Sequence, residues 1–192
     1  MTTGIETEIK LTLHSDDIPD KLRAVTGPSV SRVEQLNRYF RPSSPGKTMV
    51  RIREESGGVV LTVKGPTTTT EGGVFSRTES NEAIPPEWLF QLQAGETPEG
   101  LMALEAMANI EGPLVYLGSL RNTRWLFQHQ GLNLELDRTE FPGIDRVDWE
   151  VEVETDSPVK AAPILNSILT IAGIEATPSK QSKFQKFLDS IR

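Results

Sequence analysis

Eight stretches of this chain alternate apolar and polar residues with the period of a β-strand, and their polar faces are ionic. They cover residues 5–13, 33–41, 48–54, 59–64, 74–82, 120–128, 132–138 and 147–155. A strand with one wet face ordinarily mixes Lys, Glu, Thr and Ser there. Here Glu6, Glu8 and Lys10 oppose Ile5, Thr7, Ile9 and Leu11, and Arg51 and Arg53 oppose Val50 and Ile52. Thr62 and Lys64 oppose Val59, Leu61 and Val63, while Arg77 shares a face with Glu79. Arg124 opposes Trp125 and Phe127; Asn133, Glu135 and Asp137 oppose Leu132, Leu134 and Leu136. Asp148, Glu150, Glu152 and Glu154 oppose Trp149, Val151 and Val153. Like charges on neighbouring strands of a flat sheet repel. Closing the strands into a barrel turns every charged face inward, where opposite signs meet. The apolar faces then point outward and need amphipathic helices over them.

Helical spacing supplies that cover. Residues 16–25 read as a short helix, and 86–109 as one or two helices broken near Gly95 and Pro98. Residues 158–172 place Leu165, Ile168, Leu169 and Ala172 on one face, and 181–191 do the same with Phe184, Phe187, Leu188 and Ile191. The TTTT run at 67–70 reads as a mobile loop. No shift in composition divides the chain, so the expectation is one domain, 1–192. Its fold class is α+β: a closed, eight-stranded antiparallel β-barrel with a polar interior, covered outside by helices.

Composition narrows the chemistry. The chain has 192 residues, no cysteine and two histidines, which leaves no thiolate chemistry, no Cys-ligated zinc or iron–sulfur site and no multi-histidine metal site. His14 and His129 read as surface residues. The formal charge of −7 disfavours a nucleic-acid partner. No apolar run approaches the roughly 18 residues that span a bilayer, and the N-terminus lacks a signal-peptide pattern. The expectation is a soluble, cytoplasmic protein with no membrane or nucleic-acid partner, monomer or homodimer being left open. A tunnel basic on one wall and acidic on the other suits a polyanion and a hard divalent cation together. A metal–triphosphate complex satisfies both walls.

The segment Glu6-Thr7-Glu8-Ile9-Lys10 has the form ExExK and resembles the signature of the CYTH superfamily, the triphosphate tunnel metalloenzymes. Further pieces follow in that family's order. NRYF (37–40) resembles the second-strand aromatic motif, although Arg41 stands where an Asp is common. Arg51-Ile52-Arg53, Leu61-Thr62-Val63-Lys64-Gly65 and Arg77-Thr78-Glu79 resemble the RxR, LTxKG and RxE strands. Leu136-Asp137 and Glu150-Val151-Glu152 resemble the late acidic strands, and SKFQKFL (182–188) the terminal Lys-containing segment. Each piece is short, but the ordered set spans nearly the whole chain.

The resemblance implies a through-tunnel that binds a triphosphate. Lys10, Arg51, Arg53, Lys64, Arg77, Arg124 and Lys183 are then the phosphate ligands, Lys183 being preferred over Lys180. Glu150 and Glu152 would hold Mg²⁺ or Mn²⁺, and Glu6 and Glu8 would hold or orient a second metal with its water. Glu6, Glu8 and Lys10 are the expected catalytic set, with Asp137 and Glu79 supporting. Glu154 reads as a rim charge, and Arg121 faces away. The implied activity is metal-dependent hydrolysis of a small-molecule triphosphate. Inward faces poor in aromatics favour inorganic triphosphate, cleaved to diphosphate and phosphate. Thiamine triphosphatase and class IV adenylate cyclase are the alternatives, the former needing an apolar wall that Trp88 and Phe90 are placed to provide. A non-catalytic polyphosphate- or nucleotide-binding module is the non-enzyme alternative.

Overall fold

The computed structural model describes residues 2–42, 48–70, 72–96, 98, 114–145 and 147–192. The main strands are β1 (Thr2–Leu13), β2 (Ser31–Pro42), β3 (Met49–Glu55), β4 (Gly58–Lys64), β6 (Val74–Ala83), β7 (Leu114–His129), β8 (Leu132–Glu140) and β9 (Val147–Glu154). Two three-residue strands, β5 (Thr68–Thr70) and β10 (Ala176–Pro178), add to the outside of the set. Four helices are seen among the described residues: α1 (Ile18–Thr26), α2 (Glu87–Gln93), α3 (Pro158–Ile171) and α4 (Lys183–Ser190). The eight long strands pair antiparallel in the order β1-β9-β8-β7-β2-β3-β4-β6, and β6 pairs back onto β1. Closure leaves no free edge, which removes the main liability of a long-stranded sheet.

The expected barrel is therefore present, with every long strand near its expected position. The expected helices at 16–25, 158–172 and 181–191 are also found. In 86–109 the helix α2 lies within the described residues, whereas 97 and 99–109 lie outside them. The TTTT run differs from expectation. Thr68–Thr70 pair with Val74–Ser76 instead of forming a mobile loop, because the turn at Gly72 and Gly73 folds them back onto β6.

The hydrophobic residues form three patches: two lie outside the barrel, under α1 with α3 and under α2, and the third lies on the inward face beside the lumen, under α4. Ile9, Leu11, Leu134, Leu136, Val151 and Val153 pack against Ile18 and Leu22 of α1 and Ala161, Leu165, Ile168 and Leu169 of α3. Fully burying a Leu, Ile or Phe side chain contributes roughly 1.5–3 kcal/mol, so this patch dominates the core. Phe40, Val50, Ile52, Leu61 and Val63 pack under Leu89 and Leu92 of α2. Tyr39, Met49, Leu120 and Phe141 receive Phe187 of α4, with Phe184 and Leu188 beside it. Ser182 caps α4, its hydroxyl accepting from the Gln185 amide at 3.2 Å. Ile191 falls beyond the helix and is exposed, unlike its expected place on the apolar face. Trp125 and Trp149 stack on the outer surface at 5.6 Å, as the alternation requires.

Gly73 joins the outer turn to the barrel wall. Its φ is +77°, and its carbonyl accepts the Lys10 amide at 2.8 Å. A Cβ there would stand 2.5 Å from the Lys10 carbonyl oxygen. Only glycine reconciles that conformation with that approach. Gly73→Ala is expected to destabilise the fold by about 1–3 kcal/mol, read as a lower urea midpoint with an unchanged m-value.

Candidate active site

The inward faces enclose a cavity of about 80 Å³ lined by seven basic and five acidic side chains. The cavity is small because the charged side chains reach across the lumen to one another. The basic residues are Lys10 of β1, Arg51 and Arg53 of β3, Lys64 of β4, Arg77 of β6, Arg124 of β7 and Lys183 of α4. All seven expected phosphate ligands thus come to one place. Lys180, the competitor of Lys183, is exposed.

Their partners form one continuous chain of ion pairs. Arg124 donates to Asp137 at 2.7 and 2.6 Å and to Glu152 at 2.7 Å, and also bonds Glu135. Lys183 bonds Asp137 and lies 3.4 Å from Glu152. Lys10 lies 3.0 Å from both Glu152 and Glu8. Arg77 bridges Glu8 at 3.3 Å and Glu6 at 2.8 Å. Lys64 continues the chain to Glu6 at 3.1 Å and to Glu79. The register explains the alternation of sign: Lys10 faces Glu152, Glu6 faces Arg77, Lys64 faces Glu79 and Arg124 faces Asp137 across adjacent strands.

Two guanidiniums stand outside this chain. Among the described residues, neither Arg51 nor Arg53 has a carboxylate within ion-pair distance. Arg51 donates to the Thr62 hydroxyl at 3.2 Å, and its buried Nε has no hydrogen-bond partner. Arg53 donates to the Asn37 side-chain oxygen at 3.1 Å. Burial, then the neighbouring Arg51 and Arg124, push Arg53 down to about 10. Positive charge withdrawn from water without a paired carboxylate suits an anion.

The other shifts follow the same electrostatics. Burial disfavours the Lys10 ammonium, yet Glu152, Glu8 and Glu150 hold its pKa well above the ordinary lysine value. Burial is likewise outweighed at Asp137 by Arg124 and Lys183, and at Glu152 by Lys10, Lys183 and Arg124, so both carboxyls are held below their ordinary range. Glu79 is lowered to about 2, chiefly by Lys64 against burial. Glu135 goes the other way, to about 7, because burial and the nearby Glu152 and Asp137 outweigh Arg124. Glu154 is raised by burial and by Glu6, Glu8 and Glu79.

Several placements differ from the sequence reading. Glu135 lines the cavity although the sequence reading did not select it; its place on the Asp137 face was the available signal. Glu154 is at the rim as expected but also lines the cavity. Strand β2, which supplied no expected ligand, turns Gln35, Asn37 and Tyr39 inward, and Arg38 pairs outward with Glu54. A bulge follows at Tyr39/Phe40. Trp88 packs in the outer layer and Phe90 is exposed, so neither provides the expected apolar wall. Tyr39, Met49 and Phe184 line the cavity instead.

Glu6 and Glu152 line the cavity, Glu8 is buried against Lys10 and Arg77, and Glu150 lies two residues along β9 from Glu152, bonded to Lys186 and Ser179. Among the described residues, no three acidic or histidine side chains already converge on a metal position. The donor set nevertheless fits a hard cation: it offers carboxylate oxygens only, Glu150 Oε2 is buried without a hydrogen-bond partner, and Glu154 is raised by crowding carboxylates.

A sequence model of the CYTH domain matches residues 4–188. Among solved structures, HpAC1 from Hippeastrum is 28% identical, with a TM-score of 0.82, over 96% of this chain and 95% of that one. That protein is described as an adenylyl cyclase candidate with a dominant triphosphatase activity. A Bacillus halodurans protein proposed as an adenylate cyclase is 25% identical, with a TM-score of 0.73, over 97% and 99% of the two chains. The PH1819 protein of Pyrococcus horikoshii, 21% identical with a TM-score of 0.62 over 95% and 98%, shares the fold. No curated protein matches the chain.

Lys64 gives the cavity a pH limit. Burial, then Arg51 and Arg77, lower its pKa to about 8 despite Glu6 and Glu79. Its amine is charged below that pH and neutral above, and a polyanion favours the charged form. Tripolyphosphate affinity is therefore expected to fall as pH rises above about 8, measured by calorimetry. Lys64→Arg, which stays charged, should flatten the decline, and comparing the two cancels the ligand's own titration.

Proposed function

We propose that this chain, which belongs to the CYTH domain family, is a metal-dependent triphosphatase acting on inorganic triphosphate. The observation that carries the reading is the pair of guanidiniums, buried Arg51 and half-buried Arg53, left without carboxylates in a cavity where every other cation has one. The triphosphatase activity described for HpAC1 supports it.

Arg51, Arg53 and Arg124 present planar forks that match phosphate oxygens two at a time, whereas Lys10, Lys64 and Lys183 act as point charges. With Arg77 they spread the negative charge that builds on the phosphoryl oxygens during transfer. Glu6, Glu8, Glu150 and Glu152 would hold Mg²⁺ or Mn²⁺, with Asp137 and Glu79 keeping Arg124, Lys183 and Lys64 in place. A metal held there would supply charge neutralisation and lower the pKa of water near it. Glu6 and Glu8 orient the attacking water. Its oxygen bonds the terminal phosphorus, the anhydride P–O bond breaks, diphosphate leaves, and the water's proton passes to a carboxylate and then to solvent.

A second reading has one observation in its favour. The cavity shares Met49, Lys64, Arg77, Ser182 and Phe184 with an adjoining hollow of about 460 Å³, whose wall also carries Leu117 and Leu188. That surface suits an organic group on the triphosphate, as in thiamine triphosphatase or a class IV adenylate cyclase.

A release assay over tripolyphosphate, ATP and thiamine triphosphate, with cyclic AMP read in parallel, decides between them. Fastest phosphate release from tripolyphosphate is expected, with EDTA abolishing it. Glu8→Ala and Glu152→Ala should each lower kcat by at least a hundredfold, about 2.7 kcal/mol of barrier, while circular dichroism shows the barrel intact. Metal-dependent turnover surviving in both variants would refute the assignment.

A further inference from the structure

Helix α4 carries two lysines one turn apart, and only the first faces the cavity. Lys183 reaches Asp137 and Glu152. Lys186 reaches past it to the same strand: its Nζ lies 3.0 Å from Asp148 Oδ2 and 3.0 Å from Glu150 Oε1. All three side chains are largely withdrawn from solvent, at 11% exposure for Lys186, 9% for Asp148 and 1% for Glu150. Glu150 Oε1 also accepts from the Ser179 hydroxyl at 3.0 Å, just before α4 begins. Asp148, Glu150 and Glu152 are alternate residues on the inward face of β9, while Lys183 and Lys186 are neighbours on one helix face. The two rows therefore match in order, 183 with 152 and 186 with 150 and 148. The remaining attachments are apolar, Phe184 and Phe187 lying 5.1 and 4.8 Å from the Tyr39 ring, and these resist sliding far less than a fixed ion pair does.

We propose that Lys186 is a positioning residue, and that its ion pair with Asp148 and Glu150 fixes the register of α4 on β9 so that Lys183 is delivered into the phosphate site. The inference rests on the triphosphate reading of the cavity. Lys186 does not line the cavity and touches no phosphate position itself. It acts through Lys183 and through the orientation of Glu150.

The test is a double-mutant cycle on the full chain, with tripolyphosphate as the probe in EDTA, so that binding is read without turnover. Lys183→Met is expected to weaken binding roughly ten- to a hundredfold, the range for one hydrogen bond to a charged group. Lys186→Met should weaken it by a similar factor, and adding it to Lys183→Met should weaken it no further. Lys186→Arg should restore near-normal affinity. Lys186→Gln, which keeps a bond to Glu150, serves if the methionine variant does not fold. Unchanged affinity in Lys186→Gln or Lys186→Met, or additive losses in the double variant, overturns the positioning role alone. No tripolyphosphate binding by the unsubstituted chain overturns the functional reading and this inference with it.

Discussion

The structure depends on ionic side chains neutralising one another across an enclosed lumen. A lone charge taken from water into such a space is costly by several kcal/mol even after relaxation. The run from Arg124 through Glu152, Lys10, Glu8, Arg77 and Glu6 to Lys64 and Glu79 meets that requirement by alternating sign. Because these side chains are already paired with one another, a ligand that binds them exchanges partners with them. On the proposed reading, phosphate oxygens would take guanidinium and ammonium groups from their carboxylates, and the released carboxylates would need a cation in turn. Anion and metal are therefore two halves of one substitution, which is why a site of this kind needs both walls.

An ionic interior inverts the usual layering and makes the helices essential. With charge inside, the larger apolar strand faces look outward, where α1, α2 and α3 keep them from water, while α4 covers the inward-facing Tyr39, Met49 and Leu120 beside the lumen. The α1–α3 patch is large and continuous. The α4 patch is small, centred on Phe187 between Tyr39 and Leu120. Its ionic contacts with β8 and β9 compensate for that size, and they tie Lys183, the cavity cation that comes from a helix, to the strands that supply the other six.

Alternation made the barrel legible, since a period of two assigns each residue to a face whatever its neighbours do. It placed Arg51, Arg53, Lys64, Arg124, Glu152 and Asp137 inside together. It did not rank the inward carboxylates, because depth along the tunnel depends on strand stagger, which no single strand reveals. Glu135 and Glu154 were passed over and Glu150 was grouped with Glu152, although Lys186 and Ser179 engage it on its own. Strand β2 was hard to read for another reason. Asn37 and Gln35 are neutral, and the bulge beside Tyr39 interrupts the pairing where the aromatic pair begins. The TTTT run has strong β-propensity but no apolar alternation, so its short pairing with β6 rests on the Gly72–Gly73 turn, not on a pattern.

The lumen is also polarised across its width. Arg51 and Arg53 on β3 and Lys64 on β4 form one wall, and Glu135 on β8 with Glu152 and Glu154 on β9 form another. Each wall shows the same effect in its titration. Arg53 and Lys64 are lowered by burial and by neighbouring arginines, and Glu135 and Glu154 are raised by burial and by neighbouring carboxylates. At these four groups burial and like charge outweigh the local partners, whereas Glu152, bound by Lys10, Lys183 and Arg124, is held low. A ligand that lowers the free energy of both must be negative towards β3 and β4 and positive towards β8 and β9. A phosphate chain carrying a divalent cation on one side has that distribution, whereas a bare polyanion still binds the unpaired Arg51 and Arg53 but relieves one wall only, and so binds less tightly.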